Sequence, residues 1–503
     1  MTDALLDADG IARLRDALRG AQYTRTGVAG RIGEAAVAAA RRRDLRPALR
    51  AAGTDDPLAT LIRLFIGEQN QPATAVARAL HPLPLAAAQA AGLVVPAPGG
   101  GIRAGLDLEP YGDGWWILAD RPPAAPGPVR ADHVLGVGGA SATLVNATVR
   151  APVRSALDLG TGCGVQALHL ATHATRVTAT DLSRRALRFA ATAAALAGQE
   201  WELVQGDFAQ PVAGRRYDLV VSNPPFVAGP PGPAAFTYRD SGRAGDRVGA
   251  ELAAAAPGLL AEGGTMQYLA NWLHVAGQPW QERVAAWFAG SGLCAWAIQR
   301  EVSDPQSYVD LWLADVGEQP AGAGTGTGQR PSTRDTSRRE AWLDWFDAQK
   351  VEAVGFGLVC LRRSEVADPV LRVEELRQPT DRLGDQIALW FERQDWLRAH
   401  RTDLLSQRYR TAPGLLLHQE ATHGPDGWLV QQQRLQLSGG LRWNEPVDPL
   451  VLELVSGCDG SVPLAGQLAV LAAAHGVPEE ELADAAVPSV AHLVERGFIA
   501  AAP

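Results

Sequence analysis

Ala156-Leu157-Asp158-Leu159-Gly160-Thr161-Gly162-Cys163-Gly164 opens a stretch, residues 155–226, that closes with Tyr217-Asp218-Leu219-Val220-Val221-Ser222-Asn223-Pro224-Pro225-Phe226. The first run is a short apolar strand that breaks into a glycine-rich turn. The second is an apolar strand that ends in a rigid Asn-Pro-Pro-aromatic corner. Between them, Asp181 and Asp207 each end a short β-like run. Polar residues at strand ends, within an alternating strand–helix pattern, mark the ligand edge of an open α/β sheet.

Outward from this stretch the alternation continues. It predicts strands over 155–159, 176–180, 202–204, 218–222, 264–271, 294–299 and 354–361. Helices are expected over 164–172, 183–197, 245–260 and 281–289. An insertion at about 303–350 carries two amphipathic helical pieces, 304–315 and 338–349, around a Gly/Thr/Pro/Gln-rich loop at 317–337. The Trp342-Leu343-Asp344-Trp345-Phe346 run in it reads as a helix packing on the sheet rather than a lid. Residues 132–148, with a Gly-Val-Gly-Gly centre and a helical pattern, precede the first strand and are placed to cover a ligand.

The core, 130–363, is flanked on both sides. Residues 1–122 read as a helical, winged-helix-like module. Its helices fall at 9–21, 28–40, 57–65, 73–80 and 85–91, before β-like runs at 102–108 and 115–119. A proline-rich linker spans 121–130. Residues 366–503 read as a small α+β domain whose end is also winged-helix-like. They hold a helix at 383–399, strands at 414–418 and 428–437, and helices at 449–455, 464–474, 479–486 and 489–495, the last two parted at Pro488.

Composition sets bounds. At 503 residues, two to four domains are expected. Hydrophobic content of 47% with 20% charged residues is globular. A net charge of −9 gives no global basic field for nucleic acid. Arg41-Arg42-Arg43-Asp44-Leu45-Arg46 reads as a solvated helix end. The four cysteines are far apart, so neither a disulfide framework nor a cysteine metal site is expected. His169 and His173 stand at i and i+4 without a third ligand type, and no metal is expected. Residues 1–9 are acidic with no leader pattern, and no apolar run reaches the roughly 18 residues of a membrane span. A cytoplasmic protein is the expectation. No pattern fixes an oligomeric state.

The chemistry sits at the strand ends. Gly160, Gly162 and Gly164 allow a sharp bend and close approach to a ligand, and the next helix N-terminus offers N–H groups. Asp181, 23 residues after Asp158, is placed to accept both hydroxyls of a ribose. Asp207 is placed for an adenine amino group, with Phe208 against the ring. Together these residues favour an adenosine site. In dinucleotide sites the pattern is G-x-G-x-x-G; here an acid precedes the glycines, which suits an ammonium group rather than a pyrophosphate. At the corner, Pro225 fixes its own φ and holds Pro224 extended. The Asn223 side-chain oxygen and the Pro224 carbonyl then point in fixed directions, and both accept hydrogen bonds from one planar NH2 group. Phe226 offers a stacking face.

These motifs resemble the class I S-adenosylmethionine (SAM)-dependent N-methyltransferases that share Asn-Pro-Pro-Tyr/Phe, the small methyltransferase domain. The likeness covers about residues 130–300. It implies an α/β, Rossmann-like core with a mainly parallel seven-stranded sheet. It implies SAM binding by Asp158, Gly160, Thr161, Gly162, Gly164, Asp181, Leu182, Asp207, Phe208 and Asn223. Asn223, Pro224, Pro225 and Phe226 would form the catalytic corner. The family methylates release-factor glutamine amides and amines of RNA bases, so the implied partner is a macromolecule, protein or RNA. DNA adenine enzymes usually carry Asp in place of Asn223, which makes DNA unlikely. Phe226 is more usual among RNA enzymes; the acidic charge and a loop at 238–246 like that of glutamine enzymes lean to a protein amide. The alternatives are an exocyclic base amine of ribosomal or transfer RNA, and a non-catalytic winged-helix regulator that senses SAM.

Overall fold

The computed structural model describes residues 3–502 apart from 43, 54–55, 113, 122–129, 233–241, 316–332, 365, 367, 379, 381 and 426. The proline-rich linker, most of the 317–337 loop, the first part of 238–246 and Arg43 of the arginine cluster thus lie outside the described residues. The chain forms two compact units: Met1–Val145 with Ala151–Leu376, and Asn146–Arg150 with Arg377–Pro503.

The first unit is built on one large sheet. Its strands are β1 Val153–Leu159, β2 Ala174–Asp181, β3 Glu202–Gln205, β4 Tyr217–Ser222, β5 Leu260–Val275, β6 Leu293–Ser303, β7 Val351–Arg363 and β8 Leu371–Glu375. The helices between them are α1 Val165–Leu170, α2 Arg184–Ala197, α3 Arg247–Leu259, α4 Trp280–Ala285, α5 Pro305–Asp315 and α6 Thr333–Ala348. The spatial order is 8-6-7-5-4-1-2-3. Strands 3, 2, 1, 4 and 5 run parallel, β7 is antiparallel to both its neighbours, and β8 is parallel to β6. The sequence pattern predicts seven strands; β8 makes an eighth. It was missed because Leu371-Arg372-Val373-Glu374-Glu375 lacks an apolar run, and it belongs to the core rather than to the C-terminal domain.

The inner strands read as near-continuous apolar runs because both sheet faces are covered. Helix α2 shows how the cover is set. Ser183 caps its start, accepting from the Ala186 N–H at 3.2 Å, and Gly198 ends it in the left-handed conformation at φ 70°. Its face of Ala186, Leu187, Phe189, Ala190, Ala193 and Leu196 is buried.

Strand β7 threads between β6 and β5 where Trp272 is packed. A Cβ on Gly357 would lie 2.0 Å from the Trp272 ring and 2.4 Å from the Ile298 carbonyl oxygen. Gly357→Ala is therefore expected to cost about 1–3 kcal/mol through overpacking. Urea unfolding of the full chain checks this; an unchanged midpoint counts against the packing.

The N-terminal module joins the same unit. Among the described residues, seven short α-helices and one π-helical turn lie between Ala8 and Ala90, followed by two antiparallel pairs, Val94–Pro96 with Ile102–Ala104 and Asp107–Tyr111 with Trp115–Ala119. The predicted helix 28–40 is two helices, Arg25–Ile32 and Glu34–Arg41, because Gly33 sits at φ 80° and breaks the hydrogen-bond ladder. The module's apolar core, including Leu14, Leu18, Leu61 and Trp116, runs on into Cys163, Val165, Leu168, Phe189 and Leu196 of the α/β core. Arg15 Nε donates to the Leu196 carbonyl at 2.9 Å. In the arginine cluster, Arg46 turns to Asp44 at 2.9 Å.

The second unit holds helix Leu383–Ala399 with buried Trp390. One three-stranded sheet sets Arg408–Thr411 between Asp459–Pro463 and Ile499–Ala501. A second combines Leu415–Gly424, Gly427–Leu437 and Asn444–Pro446. The two helices predicted around Pro488 are one, Glu479–Arg496, with Pro488 inside it. Buried Ala486, Val490, Leu493 and Val494 keep both sides of the proline packed, and that packing outweighs the lost backbone hydrogen bond. No described helix of the chain is long and apolar enough to cross a membrane.

Candidate active site

The sheet order reverses between β1 and β4, whose C-terminal ends lie side by side. Leu159 pairs with Ser222, and Ser222 Oγ donates to the Leu159 carbonyl at 2.9 Å. A crevice outside strand ends at such a switch point is where open α/β sheets bind ligands. The glycine turn and the Asn-Pro-Pro-Phe corner therefore meet at one place.

Asp158, fully buried, is the last residue but one of β1. Its Oδ2 accepts from Thr161 Oγ1 at 2.7 Å and from the Ala167 N–H at 3.2 Å. Its Oδ1 is buried without a hydrogen-bond partner. Burial pushes this carboxyl up to about 7, against the pull of Thr161 and Ala167 and with a push from Asp181. The next residue of the turn's helix entry, Gly164, sits at φ 85°, and a Cβ there would press on Trp201 and Ala190.

The glycine turn is less open than its sequence implies. The Gly160 and Thr161 N–H groups both donate to the Thr180 carbonyl at 2.9 Å, and the Gly162 N–H donates to Asp181 Oδ2 at 2.9 Å. These amides shape the turn rather than face a ligand. Asp181 also accepts from the Ser183 N–H at 2.7 Å. Burial pushes its carboxyl up, and the N–H bonds from Ser183, Gly162 and Leu182 oppose that rise. Leu182 is exposed beside it. Burial also pushes the Cys163 thiol up to about 12, so it is inert as a nucleophile.

Asp207 and Phe208 follow β3. Phe208 takes the left-handed backbone conformation at φ 44°. Arg243 lies over its ring, 4.9 Å from the centroid, 3.5 Å from Asp207, and also paired with Glu251. One face of the Phe208 ring is therefore taken by a guanidinium.

At the corner, Pro224 is buried while Asn223, Pro225 and Phe226 are half-buried. Asn223 Nδ2 donates to Ser141 Oγ at 3.3 Å. Phe226 meets Trp312 of α5 edge-on, with centroids 6.1 Å apart. Beyond it, the Ala228 N–H and Asn271 Nδ2 both donate to the buried Tyr308 hydroxyl, at 2.7 and 2.9 Å. Trp342 and Phe346 of α6 join Val227, Ala228 and Tyr308 in one apolar cluster. The insertion thus packs behind the corner and holds its loop. Ser141, Tyr308 and Trp312 carry no motif; only the 132–148 stretch around Ser141 gave a sequence signal. The His169 Nε2 meets the Tyr111 hydroxyl at 2.9 Å.

Residues 136–276, which contain both motifs, match the family described as methyltransferase small domain. Residues 136–276 are a methyltransferase small domain by this match. Residues 20–105 and 388–501 match two domains of unknown function, DUF7059 and DUF7782. A release factor glutamine methyltransferase of Enterococcus faecalis is 43% identical over 74 residues, 14% of this chain and 27% of that relative. A ribosomal RNA small subunit methyltransferase C of Alcanivorax borkumensis is 31% identical over 115 residues, 23% of this chain and 31% of that relative. The chain thus spans about a quarter to a third of the length of these curated relatives. A crystal structure of a methyltransferase from Pyrococcus furiosus is similar at 14% identity and a TM-score of 0.27, over 44% of this chain and 81% of that one.

The cofactor of the domain is SAM, and the residues present fit it. Asp158 Oδ1 is a buried carboxylate oxygen that lacks a partner, and an ammonium group supplies one. Asp181 keeps lone pairs for ribose hydroxyls beyond the two N–H bonds it accepts.

Proposed function

We propose that the chain transfers a methyl group from SAM to a planar nitrogen, with a protein glutamine amide as the acceptor. The observation that carries this reading is the adjacency at the switch point: the corner ends β4 directly beside the glycine turn of β1. Bound SAM supplies an electrophilic methyl on its sulfonium. The chain's residues supply position and electrostatics. Asp158 and Asp181 fix the cofactor, Asp158 at its ammonium end and Asp181 at its ribose. The Asn223 side-chain oxygen and the Pro224 carbonyl accept the two N–H bonds of the acceptor NH2. That builds electron density on a nitrogen whose lone pair is otherwise delocalised, and aims it at the methyl. Phe226 covers the planar group.

The net charge of −9 favours a protein acceptor over a polyanion. The second reading is an exocyclic amine of an RNA base. It is favoured by Phe226, which with Trp312 makes an aromatic corner without a hydroxyl, suited to stacking a base. The flanking modules would select the macromolecule in either case.

Tritiated SAM, purified full chain and a lysate of the source cells separate the two. Label that survives RNase and is lost to protease is the expected result. Label lost to RNase moves the acceptor to RNA. No label in any macromolecule overturns both.

A further inference from the structure

The Asn223 amide is useful only one way round. If its oxygen faces the acceptor it takes an N–H bond; if its nitrogen does, two NH2 groups oppose each other. Asn223 is only half-buried, so packing alone holds its amide poorly, and a hydrogen bond to the end away from the acceptor would fix its place.

From the structure, we infer that Ser141 is a positioning residue that anchors the Asn223 amide at its nitrogen end, which leaves its oxygen for the acceptor nitrogen. This inference rests on the methyl-transfer reading above. Ser141 Oγ accepts from Asn223 Nδ2 at 3.3 Å, across 82 residues of chain. Ser141 is itself buried and held: Gln166 Nε2, on α1, donates to its carbonyl at 2.9 Å. Gln166 is also buried, on the helix that follows the glycine turn. The Ser141 backbone is thus tied to the helix after the cofactor turn, and its hydroxyl to the acceptor corner. Helix Gly139–Ala147, which carries Ser141, is in this sense part of the acceptor clamp.

The test compares wild type, Ser141→Ala and Ser141→Thr. The probe is tritiated SAM with the lysate fraction that accepts label from the wild-type chain, and equilibrium dialysis measures SAM affinity. Ser141→Ala should lower the turnover rate at saturating SAM about tenfold, the scale of one neutral hydrogen bond. SAM affinity should stay within a few-fold. Ser141→Thr, which keeps the hydroxyl, should recover most of the rate. Wild-type turnover in Ser141→Ala overturns the inference, as does a Thr variant as slow as the Ala variant. A loss of SAM affinity that matches the loss of rate also overturns it, since the residue would then serve the cofactor. A wild-type chain that labels nothing removes the methyl-transfer reading itself, a different result from any of these.

Discussion

Asn223→Ala should lower methyl transfer by about 10²–10³-fold while SAM affinity changes by no more than a few-fold. The magnitude is that of removing one preorganised hydrogen-bond partner from a site where charge develops. The Pro224 carbonyl remains as the second acceptor, so the loss is severe rather than total. The side chain leans on Ser141 rather than on the apolar core, and truncation leaves only a small gap at a half-buried position. Stability should therefore be nearly unchanged. Radiolabel incorporation and equilibrium dialysis, run on the same preparation, separate the two effects. Equal loss in both would place Asn223 in cofactor binding alone. The variant also distinguishes an enzyme from a SAM sensor, which needs no acceptor clamp: in a sensor, cellular function persists when transfer is gone.

The core was legible in the sequence because its signals are local. Short β-prone runs ending at Asp158, Asp181 and Ser222 give strands, and Gly160, Gly162 and Pro225 give turns whose backbone demands are specific. The order of those strand ends then places the crevice. What escaped is what depends on distant partners. The Ser141–Asn223 bond joins helix Gly139–Ala147 to the end of β4. Tyr308 satisfies donors from Ala228 and Asn271, 80 and 37 residues away. Neither leaves a trace in spacing or periodicity. The closed state of the turn amides was missed for the same reason: Gly160 and Gly162 look free until β2 brings the Thr180 carbonyl and Asp181 beside them. Pro488 shows the converse, a strong local signal that packing on both sides overrides.

SAM affinity should rise with pH and level off near pH 7, at about tenfold per unit below that point. The cause is Asp158. Its carboxyl, ordinarily at 3.8, is pushed up to about 7 by burial. An ammonium group binds the ionised form, so below pH 7 binding must first remove a proton. The same shift acts on the fold in the opposite sense. Below about pH 4 the carboxyl is protonated whether the chain is folded or not. Between about 4 and 7 the unfolded chain releases that proton while the folded one keeps it. The folded state then binds more protons, so this group's contribution to stability falls as pH rises through the window, by an amount on the order of 4 kcal/mol when complete. Asp158→Asn should remove that loss. The variant should unfold at a higher denaturant concentration than wild type at pH 8, bind SAM at least about 100-fold more weakly there, and show no rise in affinity across the window. Added SAM should stabilise the wild-type chain at pH 8, because it supplies the charge partner that Asp158 Oδ1 lacks. A wild-type affinity that is flat from about pH 5.5 to 8.5 would falsify this assignment of Asp158. An Asn variant that binds SAM as well as wild type while gaining stability would show a buried acid with no part in holding the cofactor.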